Sequence, residues 1–235
     1  MDIMASLQDI HPIAQAELTN KFALNPVSLK YPFPERPTRT LGLVKVDGEV
    51  FSSEKLSRAV FFRLNLPAYM AVRSIFLRPR MEYDLPILSC ETVITGKKRM
   101  FILDIHRTGE STGHDDSALF EKLIKIRDGY PDLLKEKTTT GGEIETVFSK
   151  AICQVKITAE LDDQALNLFR DYLGVFTGLV EKATPLSGAA LEKTRQAFEG
   201  YLKTVVDHDP GFKGYKMLFG KEGGVDRALN IFFDR

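Results

Sequence analysis

The chain has 235 residues, of which 43% are hydrophobic and 27% charged, and its basic and acidic residues are equal in number. This composition is that of an ordinary globular protein, and the zero net charge argues against a nucleic-acid binder held by bulk charge. No apolar run approaches the ~18 residues that span a bilayer, and residues 1–18 lack the features of a signal peptide. We therefore expect a cytoplasmic protein with no membrane or nucleic-acid partner.

The N-terminal part is predicted to be a helix followed by an extended connector. Residues 2–23 carry a patchy apolar helical face, which His11 and Pro12 interrupt. Four prolines within residues 25–39 predict an extended connector there. Residues 1–40 are thus taken as the N-terminal helix and proline-rich connector of a single domain that spans residues 1–235.

Strand patterns dominate the next part of the chain. Asp47-Gly48 predicts a hairpin turn between strands 41–46 and 49–51, and Thr95-Gly96-Lys97-Lys98 predicts another. The other predicted strands are residues 55–66, 71–77, 90–94, 99–105 and, later in the chain, 146–157. Because the connections between the first strands are short, the sheet should be antiparallel.

Helical periodicity replaces the strand pattern towards the C-terminus. Apolar residues recur at helical spacing in residues 117–127, 162–180, 188–206, 212–219 and 225–233. The segment His208-Asp209-Pro210-Gly211 interrupts this series, because proline cannot continue a helix. Strands followed by helices predict an α+β fold in which helices cover an antiparallel sheet.

The two cysteines are predicted to be buried, reduced thiols. Cys90 and Cys153 both lie in apolar runs, and neither has a second cysteine or a histidine at metal-ligand spacing. The sequence also has no glycine-rich nucleotide-binding motif and no HExxH motif. A reductase with this sequence would therefore take its electrons from outside rather than from a bound nicotinamide or flavin.

The segment RPRMEYDLPILSCE, residues 78–91, resembles the RPEYDLPxFGCD signature of the ferredoxin-dependent bilin reductases. Two further segments follow in the family's order: FSKAICQVK at residues 148–156, and Asp209 with Phe219-Gly220 and the closing Phe232-Phe233-Asp234. The signature positions that match in register are Pro79, Arg80, Glu82, Tyr83, Asp84, Leu85, Pro86 and Cys90.

This resemblance implies a three-layer α/β/α sandwich and a specific reaction. The family reduces a linear tetrapyrrole, here biliverdin IXα, to a phytobilin by sequential electron and proton transfers. The electrons come from reduced ferredoxin, which carries a [2Fe–2S] cluster, and the enzyme itself holds no cofactor and no metal.

Glu91 is the first candidate acid. From the residues alone, a solvent-facing carboxylate paired with a nearby base is the simpler interpretation. In the resembling family, the position of Glu91 carries an Asp that protonates the bound tetrapyrrole. Ser74 stands where the phycocyanobilin-forming members have a His, and serine cannot titrate near neutral pH. We therefore expect substrate contact at Ser74 and a product other than phycocyanobilin.

Asp209 is the second candidate acid. The Asp-Pro-Gly sequence explains it fully as a turn residue, and Asp207 is a nearby rival. The register of Phe219-Gly220 favours Asp209, and the resemblance then implies a second proton donor on a mobile loop. His208 occupies the position before it, where the family has Asn, and is a candidate substrate contact.

Three further features carry binding predictions. Lys156 and Arg80 match motif positions, and the resemblance places Lys156 near the substrate propionates. Both residues have the simpler interpretation of solvated side chains. The basic residues around the second hairpin suggest a docking patch for acidic ferredoxin: Arg73, Arg78, Arg80, Lys97, Lys98 and Arg99.

Two other functions remain open at this point. The replacements at Glu91 and Ser74 are compatible with a protein that binds or carries a bilin without reducing it. A reductase of a chlorophyll-derived bilin is the other alternative.

Overall fold

The computed structural model describes Leu7, residues 10–109 and residues 116–235. A seven-stranded sheet runs through the middle of the chain, with the strands side by side in sequence order and every neighbouring pair antiparallel. The strands are β1 Asn25–Pro26, β2 Lys45–Ser52, β3 Leu56–Leu66, β4 Met70–Pro79, β5 Ile87–Thr95, β6 Lys98–His106 and β7 Cys153–Thr158.

Six α-helices flank the sheet in the described residues. They are α1 Ile10–Lys21, α2 Ser117–Asp128, α3 Asp162–Lys182, α4 Gly188–His208, α5 Pro210–Phe219 and α6 Lys221–Ala228. A π-helical turn, Leu229–Phe233, follows α6. Short 3₁₀ helices occupy Thr38–Thr40, Leu133–Glu136, Glu143–Val147 and Ala159–Leu161.

The two faces of the sheet bury two separate apolar cores. Side chains alternate between the faces along each strand, so on β5 Leu88, Cys90 and Ile94 belong to one core and Ile87 to the other. The first face, marked by Leu88, is covered by α1, α2 and α3. The second face is covered by α4, α5, α6 and the π-helical turn. The predicted three-layer α/β/α sandwich with an antiparallel sheet is thus confirmed.

The predicted hairpin turn at Asp47-Gly48 is wrong. Both residues lie in the middle of β2, where Gly48 pairs with Phe62. A Cβ atom at Gly48 would come within 2.7 Å of the Phe61 carbonyl oxygen and 3.0 Å of the Phe33 ring. Glycine is therefore required by this close approach and not by a turn. The chain reverses later, where Ser53 N–H donates to the Leu56 carbonyl at 2.9 Å.

The other element predictions differ mainly at their ends. Gly96 and Lys97 form the turn between β5 and β6, as predicted. The strand predicted for residues 146–157 begins only at Cys153. Residues 146 and 147 belong to the 3₁₀ helix Glu143–Val147, and residues 148–152 form a loop. Pro12 lies in the first turn of α1. Backbone N–H groups in a first turn make no hydrogen bond within the helix, so the N–H that proline lacks is not needed there. The start predicted for that helix, residues 2–6, lies outside the described residues.

Both cysteines are free and buried, as expected. Cys90 on β5 and Cys153 on β7 both pair with Leu103 on β6, the strand between them. The two cysteines therefore lie on the same face of the sheet, two strands apart. Within the described residues, no group of three or more His, Cys, Asp or Glu side chains is arranged so that it could hold a metal ion. None of the described helices is long and apolar enough to cross a membrane.

Candidate active site on the second face of the sheet

A row of paired residues crosses the second face. Ser74 on β4 pairs with Glu91 on β5, Glu91 pairs with Ile102 on β6, and Ile102 pairs with Gln154 on β7. Directly paired residues point to the same side of a sheet, so these four side chains line one strip. The register therefore brings together two sequence-predicted site residues, Ser74 and Glu91, which are 17 residues apart in the chain.

Glu91 is held by Ser74 in a half-buried position. The Ser74 hydroxyl donates to Glu91 Oε2 at 3.3 Å. Burial and the nearby charge of Asp209 raise the pKa of Glu91 from its ordinary 4.5 to about 7, although the serine hydrogen bond favours the ionised form. A substantial fraction of Glu91 is thus protonated at neutral pH, which is the state required of a general acid.

Asp209 lies between α4 and α5 and is also half-buried. It is the N-cap of α5: its Oδ1 accepts from the Phe212 N–H at 3.1 Å, and Pro210 is the first helical residue. Gly211 leaves room for the carboxylate, since a Cβ there would lie 2.8 Å from Oδ1. Burial raises the pKa of Asp209, while the Phe212 hydrogen bond and the charge of Lys213 favour its ionised form.

The two carboxyl groups form an interacting pair. The charge of Asp209 is the second contribution to the raised pKa of Glu91, after burial. Glu91 comes from the centre of the sheet and Asp209 from the helical layer above it. The turn role of Asp209 is therefore real, and the tertiary structure adds an electrostatic contact with Glu91 that the turn alone does not explain.

Partly exposed apolar side chains surround Glu91 on this face. Along β4 and β5 these are Val72, Phe76 and Val93, and on β6 Met100 and Ile102. Lys156 pairs with Met100 and lies on the same face, with its side chain exposed. Strand spacing puts it roughly 12 Å from Glu91. The strip thus combines a flat apolar surface, an acid and a cation at its edge.

The two remaining predicted contacts, His208 and Arg80, interact with residues other than Glu91. His208 ends α4, one residue before Asp209, and its Nε2 lies 3.0 Å from Glu143 Oε2. Arg80 follows β4 and donates from Nε to the Ser53 carbonyl at 3.1 Å. It lies six positions after Ser74 along the chain, which corresponds to a distance of roughly 20 Å. The fold thus brings His208 beside the second carboxyl group, while Arg80 stays at the end of the sheet.

The predicted basic patch around the second hairpin is wrong for three of its members, because Arg73, Arg78 and Arg99 are buried. Arg99 contacts Asp162 through Nε at 3.2 Å on the first face. Arg78 donates to the Phe233 carbonyl at 3.2 Å and stacks over the Phe198 ring, and burial lowers its pKa to about 10. Of this group, only Lys97 in the turn and Lys98 at the start of β6 are exposed.

A second polar group on this face was missed by the sequence reasoning. Asp104 and His106 lie on β6, two residues apart and on the same side as Ile102. His106 Nε2 lies 3.1 Å from the Tyr201 hydroxyl of α4. The only sequence signal was the alternation of Asp104 and His106 in an otherwise apolar strand, whereas Tyr201 is 95 residues away.

Comparison of the sequence with known proteins identifies a matching family. Residues 11–234 match the family model described as ferredoxin-dependent bilin reductase. The chain is 23% identical over 229 residues to phycoerythrobilin:ferredoxin oxidoreductase from Gloeobacter violaceus, covering 94% of this chain and 92% of that protein. It is 22% identical over 227 residues to 15,16-dihydrobiliverdin:ferredoxin oxidoreductase from the same organism, covering 94% and 91% of the two chains.

The fold has a similar solved counterpart. Phytochromobilin synthase from tomato, in complex with biliverdin, superposes with a TM-score of 0.82 at 20% identity, covering 97% of this chain and 82% of that one. The family model spans nearly the whole chain, and its match includes the motif segments 78–91, 148–156 and 209–234. The chain belongs to the ferredoxin-dependent bilin reductase family.

Proposed function

We propose that this protein reduces biliverdin IXα to a phytobilin, with reduced ferredoxin as the electron donor. The observation that carries the proposal is Glu91: a carboxyl group whose pKa is raised to about 7, hydrogen-bonded by Ser74 on a partly exposed apolar sheet face. A protonated acid at that place suits a planar, largely apolar tetrapyrrole that must accept protons as it is reduced. The relatives named above act on bilins with ferredoxin, which supports the same substrate class here.

The protein's own residues would supply protons and orientation. Reduction of one double bond consumes two electrons, delivered singly by two reduced ferredoxin molecules through their [2Fe–2S] clusters, and two protons. Glu91 donates one proton to the bound bilin while Ser74 fixes the direction of its carboxyl group. Asp209 donates another from the helical layer that packs on this face of the sheet. Each carboxyl group becomes a carboxylate when it gives up its proton.

Cationic and polar groups would hold the substrate. Lys156, exposed on the same face roughly 12 Å across the sheet from Glu91, pairs with a propionate of the bilin. His208, adjacent to Asp209, contacts the opposite part of the molecule. Arg80 is engaged with the Ser53 carbonyl at the end of β4, so this binding arrangement does not use it.

Ser74 argues against phycocyanobilin as the product. A hydroxyl group orients the Glu91 carboxyl but cannot store or relay a proton as a histidine would at neutral pH. We therefore propose a product other than phycocyanobilin. We also propose that residues 1–235 act as one domain, which is supported by the two cores that share a single sheet, and that the protein is cytoplasmic.

An anaerobic absorption time course tests this function. Purified protein is mixed with biliverdin, then with ferredoxin and a reducing system, and the products are separated on a column. We expect the biliverdin band to shift on binding, then to decay through a radical intermediate into a new bilin. A shifted spectrum that reduced ferredoxin leaves unchanged would indicate a bilin carrier. No spectral shift would exclude biliverdin as the ligand.

A further inference from the structure

An electron donor needs a surface on which to dock, and the basic cluster predicted around the second hairpin has three buried members. A different surface combines exposed apolar side chains with positive charge. Among the described residues, the exposed large apolar side chains are Leu41, Leu43, Tyr69 and Met217. Three of these four belong to residues 36–43 and 210–221, which together we call the α5 surface.

The two segments of the α5 surface lie against each other. The 3₁₀ helix Thr38–Thr40 contacts α5. The Arg39 guanidinium lies against Gly220 at the end of α5, where a Cβ atom would come within 3.2 Å of Arg39 Nη2. Met217 lies three residues before Gly220, about one helical turn away. The turn that carries Leu41 and the outer side of α5 therefore form one continuous surface.

The turn holds its leucines towards the solvent. Leu41 N–H donates to the Thr38 carbonyl at 2.9 Å, and the Arg36 guanidinium donates to the Gly42 carbonyl at 2.9 Å. Leu41 has left-handed backbone angles, φ 52° and ψ 29°, which cost free energy in a leucine. Because Leu41 is 89% exposed, contacts within the chain do not offset this cost. Strained backbone and neighbouring exposed apolar residues are typical of binding surfaces.

The α5 surface is basic although the chain as a whole has no net charge. It contains five basic residues and no acidic ones, namely Arg36, Arg39, Lys213, Lys216 and Lys221. Arg36 and Lys216 donate to backbone carbonyls, and no carboxylate of the described residues lies within ion-pair distance of any of the five. By contrast, the neighbouring Lys45 pairs with Asp47 at 2.9 Å. Cations that are not compensated within the chain attract an acidic partner.

The α5 surface also lies close to the candidate acids. Helix α5 begins directly after Asp209, and Met217 is eight residues further, roughly 12 Å along the helix. The inner side of α5 packs on the sheet through Tyr215, whose ring centroid is 5.7 Å from that of Phe62. A protein docked on the outer side would therefore be separated from the second face by one helix, about 10 Å in diameter.

We propose that the α5 surface is the docking site for reduced ferredoxin, a small acidic protein that carries a [2Fe–2S] cluster. This proposal rests on the proposed function, which names ferredoxin as the electron donor. The exposed leucines and Met217 form the centre of the contact and exclude water, while the surrounding cations attract and orient the carboxylates of ferredoxin. In each encounter the reduced cluster is oxidised and the bilin gains one electron.

Calorimetric titration of the full chain with an oxidised plant-type ferredoxin tests this surface without turnover. The double variant Arg39→Gln, Lys221→Gln removes two exposed cations from the α5 surface. We expect it to bind ferredoxin at least about tenfold more weakly at low ionic strength, with a smaller dependence of Kd on salt. The matched control is the double variant Lys97→Gln, Lys98→Gln, which removes two exposed cations from the second hairpin and should bind as the wild type does.

Leu41→Asn separates docking from folding. Asparagine adopts left-handed backbone angles more readily than leucine, so this variant should be at least as stable as the wild type in thermal unfolding. The substitution removes an apolar side chain from the centre of the contact, and we expect ferredoxin to bind about fivefold more weakly. Tyr69→Ser is its control, because Tyr69 is 73% exposed but lies outside the α5 surface. This control should bind ferredoxin with wild-type affinity.

Wild-type affinity in both Leu41→Asn and the Arg39→Gln, Lys221→Gln variant would overturn the surface, as would an equal loss in the Lys97→Gln, Lys98→Gln control. A wild-type protein that is dimeric in light scattering and becomes monomeric in Leu41→Asn would also overturn it, because a second copy of the chain would then cover the leucines.

The proposed function is judged separately. A wild-type protein that binds ferredoxin through the α5 surface but leaves biliverdin unreduced would contradict that function alone. A wild-type protein that reduces biliverdin, while the α5-surface variants bind ferredoxin normally, would contradict the docking site alone.

Discussion

The two faces of the sheet use the same strands for different purposes. On β5, Leu88, Cys90 and Ile94 are closed off beneath α1, α2 and α3, whereas Glu91, one residue away from Cys90, is half-buried and partly protonated at neutral pH. On the first face, the buried charge of Arg99 is neutralised in place by Asp162. On the second face, the carboxyl group of Glu91 has no ion-pair partner among the described residues and its raised pKa allows it to exchange a proton near neutral pH. Because side chains alternate between the two faces along a strand, β5 contributes apolar residues to the first core and the candidate acid Glu91 to the second face.

The largest expected effect is on the second face, at Glu91. Glu91→Gln keeps the shape and the contact with Ser74 but removes the transferable proton, so biliverdin should still bind while its reduction slows by about 10²-fold or more. The rate of biliverdin loss with reduced ferredoxin measures this.

Glu54→Gln is the control for this substitution. Glu54 is exposed in the turn between β2 and β3, so this variant should behave as the wild type. Full turnover in Glu91→Gln would remove Glu91 as the acid and weaken the contrast between the faces.

The matching substitution on the first face should change stability alone. Asp162→Asn leaves the buried Arg99 charge without its carboxylate, which we expect to lower the free energy of unfolding by about 3–5 kcal/mol. The reduction rate of the folded protein should not change. Denaturant unfolding and the ferredoxin assay measure the two quantities.

Asp163→Asn provides the control, because Asp163 occupies the same first turn of α3 but is exposed. An equal loss of stability in both variants would mean that the effect comes from the charge at the helix N-terminus and not from the buried pair.

Asp209 both caps α5 and is a candidate proton donor. Two substitutions separate these roles. Asp209→Asn keeps an N-cap for α5 but cannot donate a proton as an acid, so the reaction should stop at a partly reduced bilin at near wild-type stability. Asp209→Ala should also lose about 1 kcal/mol of stability with the cap. Product analysis and thermal unfolding distinguish these effects. If Asp209→Asn yields the wild-type product at the wild-type rate, the residue serves only as the cap.

Glu91 should also make the stability of the protein depend on pH. Below pH 4.5 Glu91 is protonated in both the folded and the unfolded chain, whereas between pH 4.5 and about 7 the folded chain alone keeps the proton. Because the folded state then binds more protons, the free energy of unfolding should fall as the pH rises through this window. Asp209, whose pKa is also raised, contributes with the same sign.

Glu91→Gln should flatten part of this slope, as measured by thermal unfolding at a series of pH values. Equal slopes in the variant and the wild type would show that Glu91 does not titrate differently in the two states. The same titration should slow bilin reduction above about pH 7 in the wild type, since the acid form of Glu91 is lost there.

Local chemistry allowed much of the fold to be predicted from the sequence. The turn at Gly96 and Lys97 was identified because a glycine within a polar connection between two strand patterns has few other uses. The interruption at Asp209 and Pro210 was identified because proline ends one helix and starts the next. The same reasoning gave a wrong turn at Asp47-Gly48. Glycine is needed at position 48 because Phe33 and the Phe61 backbone approach it closely, and no local sequence pattern reveals that approach.

The sequence motifs named candidate site residues but did not show how those residues are arranged in space. The motifs indicated Glu91, Ser74 and Asp209, while the basic cluster was misjudged because burial of Arg73, Arg78 and Arg99 depends on which face and which helix each side chain meets. Hydrophobic periodicity shows that a strand has two faces but not which polar side chains of other elements will lie against them.

By itself, the sequence determined the order of strands and helices, the positions of the main turns and the family to which the chain belongs. Only the tertiary structure decided that Ser74 holds Glu91, that Asp209 lies close enough to change the pKa of Glu91, and that His106 meets Tyr201. The physical reason is that a pKa depends on burial and on charges brought together by strand register and helix packing, and these contacts join residues far apart in the chain.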